Sequence, residues 1–132
     1  MNYKNFLFCV FMSFSLFANA FQRQSSLALF YTADPEIMGV YVLESCEDSR
    51  FKIKIEKKAG EYLFLIYDRN KVISKGKVKK QKDDEILYLS FGKIGGMYDT
   101  DKIQIQNYGN SMNEFVHFVQ CDEKYLTFIK SK

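Results

Sequence analysis

Histidine is nearly absent: His117 is the only one in 132 residues. That scarcity removes most metal and acid–base chemistry. A zinc site needs three or four His, Cys or carboxylate ligands at suitable spacing, and the thiol nearest in sequence to His117 is Cys121. If the two share one strand, four residues at ~3.3 Å each hold them roughly 13 Å apart, beyond the hydrogen-bond reach of a nucleophile and its base. His117, between Phe115 and Val119 on that face, reads as a partly buried packing residue. The segment "GKIGG" at 92–96 lacks the spacing and the following helix of a phosphate-binding loop. The acidic stretches "DTD" (Asp99, Asp101) and "KDDE" (Asp83, Asp84, Glu85) lack the glycine and spaced ligands of a calcium loop, and acidic turn residues are commonplace. No catalytic residue, metal site or cofactor is assigned, and an enzyme is not expected.

Long apolar runs are scarce too. The longest, Phe6 to Ala18, falls short of the ~20 residues that span a bilayer. It follows Lys4 and ends at Ala18 and Ala20, the small-residue positions of an A-x-A cleavage site, so residues 1–20 read as a signal peptide. No cysteine follows the cut, which argues against a lipoprotein, and no other segment could cross a membrane as an apolar helix. The expected location is exported, periplasmic or secreted. Of three cysteines, Cys9 leaves with the signal. The remaining pair, Cys46 and Cys121, is expected to form one disulfide in an oxidising compartment, worth about 4–5 kcal/mol in the chain-entropy model. The alternative is two buried free thiols.

Net charge is small, +3 and one less without Lys4, too little to imply a nucleic-acid partner. Its distribution is uneven. Residues 50–82 hold twelve Lys or Arg against three Asp or Glu. The plainer reading is that Lys52, Lys54, Lys75, Lys77 and Lys79 occupy outward strand positions and keep edges soluble; the sharper one is steering of an anionic partner.

Residues 21–37 show no strand alternation. "DPE" at 34–36 is a good helix opening, with a capping Asp and a first-turn Pro, so a short helix or an irregular arm is expected. From 38 to 132 the period becomes two. Short runs such as "MGVYVLESC", "RFKIKIEKK", "EYLFLIYD", "KVISKGKVKK" and "EFVHFVQC" alternate with turn residues, and Gly76 is a candidate bulge. Eight or nine short strands with short connections predict an all-β antiparallel meander, which removes its edges best by closing into a small barrel. With Cys46 ending the first strand and Cys121 the penultimate one, closure would bring the two together. Two strands are apolar on both faces: Tyr62, Phe64 and Ile66 oppose Leu63, Leu65 and Tyr67, and Ile86 and Tyr88 oppose Leu87, Leu89 and Phe91. Their outer face needs a cover, either the arm at Leu27–Tyr31, a second copy in a homodimer, or a protein partner. Large aromatics on short strands favour a filled interior over a ligand cavity.

The opening strand "MGVYVLES", with a preceding turn and a closing meander, resembles small lipocalin-like (calycin-type) barrels, which commonly begin with G-x-W. Gly39 and Tyr41 stand in that arrangement here, with Tyr in place of Trp. The resemblance implies a non-catalytic binding barrel holding a small apolar ligand or a partner at one mouth. In size and single disulfide the chain also resembles exported inhibitors of lysozyme-like enzymes, which act through a loop or a barrel face. The loop "NYGNSMNE" (107–114) would serve that role, or be a plain polar connector. By chemistry, Tyr62, Phe64, Tyr88, Tyr108 and Met112 are the candidate ligand or partner contacts.

Overall fold

The computed structural model describes residues 35–132. Eight strands form a closed antiparallel barrel: β1 (Gly39–Leu43), β2 (Phe51–Lys58), β3 (Glu61–Asp68), β4 (Lys71–Asp83), β5 (Ile86–Phe91), β6 (Ile94–Asp99), β7 (Lys102–Gln106) and β10 (Tyr125–Lys130). Neighbours in sequence are neighbours in the barrel, except that the chain leaves it after β7. It makes a separate two-stranded hairpin, β8 (Tyr108–Asn110) and β9 (Asn113–Val116), before β10 closes against β1. Turn chemistry sets these boundaries: Ala59 and Gly60, and Thr100 and Asp101, all take positive φ, the twist that suits two-residue hairpins.

Inward positions alternate along each strand and fill the barrel. Phe64 meets Phe91 edge-on at 5.4 Å, and Tyr41 meets Tyr98 at 6.5 Å. Around them Ile53, Ile66, Leu89, Ile103 and Ile105 are fully buried. Such interlocking leaves the interior solid. The Tyr41 hydroxyl donates to the Ile37 carbonyl at 2.8 Å. Burial, helped by neighbouring Tyr98, pushes the Tyr41 phenol far above its ordinary pKa, so it remains a donor.

Three expectations are corrected, and one pair of alternatives is decided: residues 35–38 are irregular rather than helical, with Ile37 buried at the barrel end and its carbonyl accepting from Tyr41. The remainder of the arm, with Leu27–Tyr31, and the signal segment lie outside the described residues. "EFVHFVQC" is not one strand; only Asn113–Val116 is extended, and Cys121 sits in the following loop. The bulge lies at Ile73 rather than Gly76: Ile66 pairs with Ser74 and Tyr67 with Val72. Gly76 stands opposite Phe64, where an added Cβ would lie 3.1 Å from the ring, so its missing side chain admits that ring to the core. Finally, β4 is longer than expected. Its first half pairs with β3 as far as Lys77, and Val78–Asp83 pair only with β5.

The outer apolar face of β3 finds a local cover. Leu65 lies between Lys54 and Lys75 in register, Tyr67 beside Lys52, and Leu63 beside Lys77. All three apolar residues are half-buried, as expected where lysine stems lie along apolar surface with their ammonium groups in water.

Candidate functional site

The excursion from β7 to β10 is anchored by Asn107, which is 0% exposed and the one buried polar side chain among the described residues. Its Nδ2 donates to the carbonyls of Phe118 and Cys121 at 3.2 and 2.9 Å, and its Oδ1 accepts the Phe118 N–H at 2.8 Å. Its backbone N–H donates to the Lys124 carbonyl, and its own carbonyl accepts from the His117 N–H. One asparagine thus ties the outgoing chain to the returning one, with every polar group satisfied, as a buried amide requires. Phe118, fixed by those bonds, closes the barrel end against Phe51 at 4.8 Å and Phe128 at 5.6 Å.

A disulfide joins Cys121 to Cys46 in the β1–β2 loop, with Cα atoms 5.6 Å apart. That loop has its own clamp. Arg50 makes a two-pronged pair with Asp68 at 2.6 and 3.0 Å and reaches Glu47 at 2.6 Å. The Arg50 guanidinium holds the Asp68 carboxyl below its ordinary value, so the pair stabilises the fold above the unfolded-state pKa of about 3.9. That contribution is lost as pH falls through the lower folded-state value. Thermal melts between neutral pH and strong acid should therefore show an acid limb that is shallower in Asp68→Asn. A residual limb should persist, because Lys58 and Lys54 also lower the Glu56 carboxyl. An unchanged limb would mean that the clamp adds nothing.

Beyond this base the hairpin is preorganised. Asn110 Oδ1 accepts from both Met112 N–H and Asn113 N–H at 3.0 Å, a side-chain-braced turn. Gly109 passes so close to β9 that an added Cβ would lie 1.7 Å from the Asn113 carbonyl oxygen. Phe115 packs on the His117 ring at 4.8 Å, and burial lowers the His117 pKa. Met112, at the turn, is 95% exposed; Val116, at the base of the hairpin, and Val119, in the loop that follows, are exposed too. From 107 to 121 the only ionised side chain is the Glu114 carboxylate. The arrangement offers apolar contact and amide hydrogen bonding from a fixed backbone, and the Cys121 sulfur is committed to the disulfide.

The candidate contacts do not form one site. Tyr108 and Met112 both belong to the hairpin, Tyr108 at its base and Met112 at its turn. Phe64 is a core residue. Tyr62 lies half-buried at the opposite end of the barrel, with the Lys57 and Lys80 ammonium groups 5.2 and 4.7 Å from its ring centre. Tyr88 is exposed on the outside of β5. Asn107, Gly109 and Phe118 were not singled out in sequence. The signal that could have found them is the loop's unusual asparagine content followed by an apolar residue near a cysteine. The acidic turns meet at the far end, where Glu85, Asp99 and Asp101 line a depression with Glu36 and Lys130. Asp101 there is engaged by Lys130 at 3.0 Å and by the Tyr98 hydroxyl at 3.3 Å. Among the described residues no group of three or more His, Cys, Asp or Glu is placed to hold a metal ion, and no helix is long and apolar enough to cross a membrane.

Fold and site together define a closed eight-stranded antiparallel barrel bearing a disulfide-stapled hairpin. No protein-family model, curated protein or solved structure matches the chain.

Proposed function

We propose that the protein is a non-catalytic, exported interaction module that presents the β8–β9 hairpin to a protein partner, in the manner of a loop that enters an enzyme cleft. One observation carries this reading: Met112 stands 95% exposed at the turn of a hairpin whose base is locked by Asn107, Phe118 and the disulfide. A loop held in its bound shape loses little conformational freedom on association, and an isolated exposed apolar tip on a rigid scaffold is how loops carry recognition. The filled interior weighs against a lipocalin-like ligand inside the barrel, and the disulfide fits an oxidising compartment.

The test is inhibition of a panel of lysozyme-like hydrolases by the oxidised protein and by Met112→Lys. A tip that acts as a binding hot spot contributes at least about 2 kcal/mol, so inhibition should weaken by about 30-fold. The melting temperature should barely move, since an exposed substitution changes stability by about 0.5 kcal/mol or less. Absence of inhibition across the panel, or equal inhibition by the variant, would remove this reading.

A further inference from the structure

A second surface, remote in chemistry from the hairpin, lies outside β5, β6, β7 and β10. In register, Gln81, Tyr88, Met97, Gln104 and Thr127 form one row across five strands. Tyr125 pairs with Gln106 in the neighbouring row. Gly95, paired with Ser90, belongs to that neighbouring row, and a Cβ built there would meet nothing within 4 Å, so a trough opens beside the first row. The resulting depression is about 560 Å³, within the ~300–1,000 Å³ range of small-ligand sites. Tyr88, Met97 and Tyr125 are 38%, 37% and 56% exposed. In a chain that is 27% charged, the only ionised residue among those lining the trough is Asp83 on its rim; Lys79 pairs with Ser90 at one edge, and the Lys124 ammonium lies 5.8 Å from the Tyr125 ring centre at the other.

We propose that this trough binds a short neutral oligosaccharide, with Tyr88 and Tyr125 as stacking platforms and Gln81 and Gln104 as hydrogen-bonding partners for its hydroxyls. Tyrosine offers a flat apolar body with a polar tip, which matches a sugar ring's C–H face and hydroxyl edge. Each glutamine amide carries a donor pair and an acceptor, the set that a pair of adjacent hydroxyls satisfies. A wholly apolar ligand would cover these amides without partners and leave their desolvation uncompensated. An anionic ligand would be drawn instead to the lysine-rich β2–β4 face. A second copy fits less well, because a two-fold interface sets a patch against itself and two facing troughs leave a void.

The test is an amide NMR titration of the full oxidised protein with chitotriose, cellotriose and maltotriose at millimolar concentration. At least one sugar should produce saturable shifts confined to Tyr88, Gly95, Met97, Gln104 and Tyr125. Tyr88→Ala should weaken that binding by about tenfold, the scale of one lost aromatic contact. Gly95→Arg fills the trough from a position with open space above it and should abolish the shifts while the rest of the spectrum stays folded. Three silent titrations would overturn the proposal. So would concentration-dependent broadening of the same residues without sugar, which would assign the face to a second copy.

Discussion

Replacing Cys46 and Cys121 together by serine should lower the stability of the protein by about 4 kcal/mol. The bridge spans 75 residues of sequence, and closing a loop of that length removes chain entropy worth about 4.5 kcal/mol from the unfolded state, which the variant without the bridge regains. For a small domain with a net stability of ~5–15 kcal/mol, that is a large share. The effect should exceed that of any surface substitution, because the two loops it joins, 44–50 and 117–124, contain no barrel strand of their own. Urea unfolding of the oxidised protein and of the double variant reads the difference directly. A change below about 1 kcal/mol would mean that the Arg50–Asp68 clamp and the Asn107 bonds already hold these loops. The same variant should lose inhibitory strength as the hairpin base loosens, whereas Met112→Lys should lose it without loss of stability. The pair of variants separates scaffold from contact.

Phe118→Ala should cost about 3–5 kcal/mol, the usual range for emptying a buried phenylalanine site. Phe118 is 1% exposed between Phe51 and Phe128. It lies on a loop, yet neighbouring strands cannot collapse into the space it leaves, because their register is set all round the closed barrel. Phe118→Leu keeps apolar volume and should lose much less, about 1.5 kcal/mol or below. Denaturant melts of both variants would check this, and equal small losses would show that Phe118 does not close the barrel end. The Asn107 hydrogen bonds to Phe118 go to its backbone, so both variants retain those bonds and the comparison isolates the ring.

Much of the barrel was legible before any coordinates. Alternation in "FKIKI" announced a strand with one buried face, and Phe51, Ile53 and Ile55 point inward; "ILYLSF" was apolar on both faces, and only the barrel shows that Leu87, Leu89 and Phe91 are the buried set. Turn residues between the apolar runs, "DTD" among them, marked the strand ends through local backbone preference. The count of two cysteines in 21–132 announced the disulfide. Closure of a meander of eight or nine strands followed from short connections and the cost of open edges. The strands and turns are local properties, carried by residues within a few positions of one another; the disulfide and the closure were read from a count and from the cost of edges.

The candidate site was less legible. "FVHFVQC" alternates as well as any strand, but the chain breaks off at His117 because Asn107, ten positions earlier, captures the Phe118 N–H and carbonyl. Gly76 looked like a bulge, and its reason is a ring on another strand. The doubly apolar β3 looked in need of a partner, and lysines on both neighbours half-bury it.

Residue order by itself thus determined the class of fold, the turns, the inward face of β2 and the choice of cysteines. Only the tertiary structure decided which face of β3 and β5 is buried, which loop is anchored, which outer face is concave, and where Met112 stands. Side-chain period states which way a residue points. What it meets there depends on strands brought alongside from far away in sequence, and that is settled only when the barrel closes.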